Sequence, residues 1–211
     1  MAEIVGTAGA DLLDGTLEAD AIAGGEGNDS IRGDGFAPGI SGGGSGIDTV
    51  LGGADTIDGG AGDDAVAGGP GADLLTGGPG ADRFVYGSHI PIDPFYITPD
   101  IFVLDTGVGE GARDVIGDFE QGVDVIDLSP LLTLGYRSLD INEAYEFIGD
   151  APFSGKRAEV RYEVDEEGGR TVVQLDGTEF SAGEVLGVDG VADAEIEITG
   201  AFALLESDFI L

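Results

Sequence analysis

The chain has no cysteine and no tryptophan, and one histidine among 211 residues. Without cysteine there is neither a disulfide framework nor a thiolate metal site. Basic residues are almost as scarce: 8 Lys+Arg stand against 42 Asp+Glu, a formal net charge of -34. That balance excludes nucleic acid and anionic membranes as partners, because both demand a basic face. A compact chain so charged repels itself unless a cation is bound. No stretch approaches the ~20 apolar residues of a membrane-spanning helix. The start, MAEIVGTAG, has neither the basic nor the apolar region of an ordinary secretory signal. There is no H-E-x-x-H zinc motif. The one histidine, His89, has no serine or carboxylate partner at motif spacing and reads as an exposed loop residue. No catalytic site is expected.

What is abundant is glycine, 40 residues of the 211, far above the usual ~7% and without the three-residue period of collagen. It recurs with aspartate every nine residues. The blocks read GTAGADLLD (6–14), GTLEADAIA (15–23) and GGEGNDSIR (24–32), break at 33–42, and resume as GGSGIDTVL (43–51), a shortened GGADTID (52–58), GGAGDDAVA (59–67), GGPGADLLT (68–76) and GGPGADRFV (77–85). The eighth position is apolar throughout: Leu13, Ile22, Ile31, Val50, Ile57, Val66, Leu75 and Phe84. One inward residue per nine, between relaxed neighbours, predicts a very short strand between two turns. Two blocks then make one coil of a flattened solenoid with a thin core. Glycine supplies the positive φ angles and close backbone approach that such turns need. Stacking places aspartates of successive coils side by side, and unscreened they would drive the coils apart. A hard divalent cation taking carboxylate and carbonyl oxygens joins them instead. Calcium, with 6–8 oxygen ligands in flexible geometry, suits this better than magnesium, and the absence of nitrogen and sulfur ligands disfavours zinc and copper.

The blocks match G-G-x-G-x-D-x-U-x and resemble the calcium-binding nonapeptide of RTX, or hemolysin-type, proteins. In that family each ion lies between turns one coil apart. The earlier turn gives its second and fourth carbonyls and its aspartate, and the later turn its first and third carbonyls and its own aspartate. On matching positions, the resemblance implies a site of Thr7, Gly9 and Asp11 with Gly24, Glu26 and Asp29. A second uses Gly60, Gly62 and Asp64 with Gly77, Pro79 and Asp82. Between them, Gly44, Gly46 and Asp48 are expected to pair with Gly59, Ala61 and Asp64, and Asp55 with Gly68, Pro70 and Asp73. Asp20 is expected to pair with Asp48 if the insertion 33–42 loops out.

After Tyr86 the nine-residue period stops and an ordinary β pattern begins. Strands are expected at 101–104, 114–119, 123–128, 145–149, 158–164, 170–175 and 194–200, with a hairpin loop at 166–169 and one helical turn within 138–145. The aromatics Phe95, Tyr96 and Phe102 are expected in the core. RDVIGDFEQGVDVIDLS (113–129), AYEFIGDAPFSGKRAEVRY (144–162) and AEIEITGAFALLESDFIL (194–211) resemble the C-terminal region of serralysin-type metalloproteases and the R-modules of mannuronan epimerases. The resemblance implies an all-β chain: a parallel β-roll over 1–86 merging into a β-sandwich cap over 87–211. It also implies further calcium ligands at Asp118 and Asp124, and type I secretion through an uncleaved C-terminal signal, ESDFIL. The expected function is a secreted, non-enzymatic module that binds several calcium ions and folds after export. The alternative is a secretion or targeting module of a secreted metalloprotease, lipase or alginate epimerase, or a companion to one, that binds acidic polysaccharide or a cell surface.

Overall fold

The computed structural model describes residues 1–34, 52–89, 103–104, 106–132, 145–156, 158–177, 180–181, 184–185 and 190–211. The repeat region folds as short strands that alternate between two sheets: β1 (Glu3–Val5), β2 (Leu12–Asp14), β3 (Ala21–Glu26), β4 (Ser30–Arg32), β5 (Thr56–Ala61), β6 (Ala65–Ala67), β7 (Leu74–Thr76) and β8 (Arg83–Val85). Beyond it come β9 (Ser88–His89), β10 (Val103–Leu104), β11 (Asp114–Ile116), β12 (Val125–Asp127), β13 (Glu146–Phe147), β14 (Glu159–Asp165), β15 (Arg170–Asp176), β16 (Phe180–Ser181), β17 (Glu184–Val185), β18 (Ala194–Thr199) and β19 (Phe209–Ile210). Two short 3-10 turns occupy Ser129–Leu132 and Glu206–Asp208.

Each strand pairs in parallel with the strand one coil away: Ile4 with Ile22, Leu13 with Ile31, Ile57 with Leu75, Val66 with Phe84. The eighth-position side chains therefore stack in two facing columns. Ile57, Val66, Leu75 and Phe84 are fully buried, and Ile22 and Ile31 nearly so. Among the described coils only the first, with Ile4 and Leu13, leaves its column half-open. Fully burying such a side chain contributes roughly 1.5–3 kcal/mol, so a core one residue thick per block can hold the coils together once their turns are compatible.

The two sheets do not end with the repeats. One has nine strands in the order β1-β3-β5-β7-β11-β18-β15-β14-β13, and the other has six, β19-β12-β8-β6-β4-β2. Ile116 pairs with Leu75 and Ile126 with Phe84, both fully buried, so β11 and β12 continue the columns. The first sheet changes from parallel to antiparallel at β15, between β18 and β14. Arg113 fixes β18 against β11. Its guanidinium bonds Glu195 at 2.8 Å and Glu197 at 3.0 Å, with the arginine almost buried. Phe119, Phe202, Phe147, Tyr162 and Phe209 close the core beneath, in ring pairs 5.3–6.2 Å apart.

The structure corrects the repeat register. Between the other repeats a coil takes 18 residues, as from Ile4 to Ile22, but 35 from Ile22 to Ile57 and from Ile31 to Val66. β3 bonds directly to β5 and β4 directly to β6, so these coils are neighbours. Gly33 and Asp34 belong to a stacked turn, and the extra residues are 35–51, not 33–42. GGSGIDTVL matches the motif locally, yet register is decided by neighbouring strands that local spacing cannot see. Gly44, Gly46, Asp48 and Val50 lie outside the described residues, as do Phe95, Tyr96, Phe102 and most of 138–145. His89 lies in β9, opposite Val103 of β10.

Candidate metal centre

The turns stack as closely as the strands. A Cβ on Gly60 would collide with the carbonyl of Gly25, and one on Gly78 with the carbonyl of Gly60. Both glycines also hold left-handed φ angles, 99° and 94°, which side chains resist. Contacts of this kind show which oxygens face each gap. Second- and fourth-position carbonyls of one turn point toward the next: Thr7 O toward Gly25, Gly25 O toward Gly60, Gly62 O toward Gly80. First-position carbonyls point back: Gly24 O toward Gly6, Gly59 O toward Gly24, Gly77 O toward Gly59. At Gly52 the third-position carbonyl of Pro70 does the same.

Each gap also receives two aspartates, and their amides order them. Along one edge Asp11 N–H donates to Asp29 Oδ1 at 2.8 Å, Asp29 to Asp64 at 2.7 Å, Asp64 to Asp82 at 2.9 Å and Asp82 to Asp124 at 2.9 Å. Along the other, Asp20 donates to Asp55 at 2.7 Å, Asp55 to Asp73 at 2.8 Å and Asp73 to Asp114 at 2.9 Å. One oxygen of each carboxylate is thereby fixed. The second oxygens of Asp29, Asp55, Asp64 and Asp82 are buried with no hydrogen-bond partner. Those of Asp29, Asp55 and Asp64 lie beside a first-position carbonyl: the spot where a Gly59 Cβ would stand is 2.6 Å from Gly77 O and 2.7 Å from Asp64 Oδ2.

An anionic oxygen buried among other acceptors is costly unless protonated or bound to a cation. Burial, with Asp124, Asp64 and Asp118 nearby, pushes the Asp82 carboxyl up to about 6. Burial likewise raises Asp55, with Asp20 adding to it, and Asp64 and Asp124 among their neighbouring acids. The first turns differ because threonine replaces glycine at their second position. Burial pushes Asp20 up, but the amides of Ala2 and Thr16 and the Thr16 hydroxyl outweigh it and leave its carboxyl lowered. Asp11 takes the same bonds from Thr7, at 2.6 and 2.8 Å.

Among the described residues no three His, Cys, Asp or Glu side chains come together as a metal site. What the gaps offer an ion is carboxylates of adjacent turns together with backbone carbonyls. The donor set fits a hard cation of high coordination number, hence calcium. Some carbonyls accept amides across the coils, Ala61 from Gly27 at 2.7 Å and Pro79 from Gly62 at 3.1 Å. The Oδ2 atoms of Asp29, Asp55, Asp64 and Asp82 are the unsatisfied members.

Of the expected pairs, the turn of Thr7, Gly9 and Asp11 stacks on that of Gly24, Glu26 and Asp29. The turn of Gly60, Gly62 and Asp64 stacks on that of Gly77, Pro79 and Asp82, and Asp55 meets Gly68, Pro70 and Asp73. Gly59, Ala61 and Asp64 meet the 24–29 turn rather than 43–48, and Asp20 meets Asp55 rather than Asp48. Asp118 lies beside the 77–82 turn, accepting Gly77 and Gly78 amides at 2.9 and 2.8 Å, and Asp124 also takes the Glu120 amide at 2.8 Å. Sequence reasoning missed Asp34 and Asp114. The signal for Asp114 was present, since Asp114-Val115-Ile116 keeps the aspartate and the apolar residue two places on after the glycines are lost.

Residues 4–37, 42–75 and 51–84 match the RTX calcium-binding nonapeptide repeat, a family of four-copy units. The chain is similar to the solution structure of the AlgE6R2 subunit from the Azotobacter vinelandii mannuronan C5-epimerase, at 23% identity and a TM-score of 0.41, over 99% of this chain and 91% of that one. It is also similar to the AlgE6R3 subunit of the same epimerase, at 24% identity and a TM-score of 0.27, over 97% of this chain and 80% of that one. No curated protein matches it.

Proposed function

We propose that this chain is a secreted, non-enzymatic calcium module, with a roll over 1–86 and a cap over 87–211, whose roll folds when calcium enters the gaps between stacked turns. One observation carries the reading: Asp29, Asp55, Asp64 and Asp82 each bury an Oδ2 with no donor, and those of Asp29, Asp55 and Asp64 stand beside backbone carbonyls. The RTX repeat matches over 4–37 and 42–84 support calcium as the ion. The ligands are the aspartates of adjacent turns with the second and fourth carbonyls of one and the first and third of the next. Asp118 and Asp124 serve the gap after Asp82.

Binding to the folded state alone turns ligand free energy into folding free energy. Extracellular calcium modules bind with Kd on the order of 10⁻⁴–10⁻³ M. Such sites stay empty in the cytosol and fill outside, so the chain leaves unfolded through a type I exporter and folds on arrival. Phe209–Ile210 forms strand β19 on β12, with Phe209 buried against Phe147. An exporter can read ESDFIL only before that strand docks. The test is calorimetric titration of chelator-stripped protein with calcium, and with magnesium as control. Uptake of several calcium ions with little magnesium response is expected. No calcium uptake up to millimolar concentration would overturn the reading.

A further inference from the structure

One turn of the roll is assembled from two separate pieces of chain. Gly33 and Asp34 supply its first two positions, and Gly52, Gly53, Ala54 and Asp55 the remainder, with residues 35–51 between them in sequence. Stacking on the 68–73 turn fixes this register. A Cβ on Gly33 would meet Gly68 O, one on Gly52 would meet Pro70 O, and one on Gly71 would meet Gly53 O.

The second position sets this turn apart. Elsewhere it is Thr7, Thr16, Gly25, Gly60, Gly69 or Gly78; here it is Asp34, which is 8% exposed. Asp34 Oδ1 accepts the Gly53 amide at 3.3 Å, across the base of the insertion. Asp34 Oδ2 reaches the place beside Gly52 where the Pro70 carbonyl also arrives, and lies 2.9 Å from where a Gly69 Cβ would be. The gap thus collects two pairs of neighbouring acceptors, Asp34 Oδ2 with Pro70 O and Asp55 Oδ2 with Gly68 O. Gly68 O takes the Asp34 amide at 3.2 Å. Asp55 is 2% exposed, and its Oδ2 has no partner. Acceptors crowded in this way repel one another in a low-dielectric gap, and a cation reverses the sign.

We propose that Asp34 Oδ2 is a side-chain ligand of the cation held between the split turn and the 68–73 turn. This site then carries a second-position carboxylate that no other described turn has, a third charge as Asp118 gives the gap after Asp82, and its ion clamps the two ends of the insertion together. The inference rests on the calcium reading above. The three carboxylates do not form a ready-made cluster; Asp34 enters beside Pro70 O, on the second-position side of the turn. Affinity rises with ligand charge, so this site fills before the two-carboxylate sites and pre-aligns the coils on either side of the insertion.

The test compares the full chain with Asp34→Asn, which keeps an oxygen for the Gly53 amide but removes the charge, and with Asp64→Asn, which changes a different gap. Calcium isotherms and thermal melts are recorded in chelator and in saturating calcium. Asp34→Asn is expected to weaken the tightest sites on the order of tenfold and to shrink the calcium-induced rise in Tm, while Tm in chelator stays level or rises. Asp64→Asn should leave the tightest class in place. An Asp34→Asn isotherm superimposable on that of the unaltered chain would overturn the proposal while leaving the calcium reading intact. So would a loss of β signal that is equal with and without calcium, which assigns Asp34 to closing the insertion only. Absence of calcium uptake by the unaltered chain would sink the underlying reading itself.

Discussion

The backbone amide of Asp64 donates to Asp82 Oδ1, one coil along, at 2.9 Å, while the Oδ2 of each carboxylate is buried without a donor. That amide fixes the Asp82 side chain as the Asp29 amide fixes that of Asp64, and what remains on each is a buried oxygen with no donor. A fold that orders its acids in this way has stability that depends on what occupies the gaps.

Replacing Asp64 by Asn retains an acceptor for the Asp29 amide and removes the charge. The calcium concentration at half-folding should rise about tenfold, with no loss of stability in chelator, because a like-charge contact is also removed. An equilibrium titration followed by circular dichroism checks both. An unchanged midpoint would take Asp64 off the ligand set.

The pH dependence without calcium should run opposite to ordinary acid denaturation. Asp82 is raised from 3.8 to about 6, and Asp55, Asp64 and Asp124 are raised in the same sense. The folded state therefore binds more protons than the unfolded state in this window, and stability is lost as pH rises through it. Asp20, Asp165 and Glu195, lowered by their hydrogen bonds, oppose this with stability that is lost on acidification, but that loss falls below their ordinary values of 3.8 and 4.5, outside the window of Asp82. Tm in chelator should be higher at pH 5 than at pH 7. In limiting calcium the order should reverse, as protons compete for the carboxylates.

Gly60→Ala puts a Cβ onto the Gly25 carbonyl at a φ of 99°. Strain of this kind costs about 1–3 kcal/mol before the clash is added. Tm should fall in calcium as well as in chelator, which separates a turn defect from a ligand defect.

Arg113→Met leaves Glu195 and Glu197 without their shared cation between β11 and β18. Breaking a buried pair from one side costs about 3–5 kcal/mol. The cap should loosen, seen as lost protection of β14, β15 and β18 amides in hydrogen exchange, while protection of β3, β5 and β7 persists in calcium.

Much of this was legible in the chain. The apolar eighth position marked Ile22, Ile31, Ile57, Val66, Leu75 and Phe84 as core, because one inward residue per nine has no other use, and every one is buried. The later strands were legible from alternation, and the hairpin between β14 and β15 from its glycines. The register across 35–51 was not. GGSGID satisfies every local demand of the repeat, and only the direct β3–β5 and β4–β6 pairing shows that the coil skips it. Asp34 was hidden for the same reason, since its turn partners are distant in sequence. Strand β19 was hidden because two residues give no period to read; its place depends on β12 being formed first.

Far-UV circular dichroism of chelator-stripped protein, titrated with calcium and in parallel with magnesium, bears most directly on calcium as the cation that folds the roll. A cooperative gain of β signal with calcium alone is expected. A full β spectrum already present in chelator at pH 7, unmoved by calcium, would contradict it.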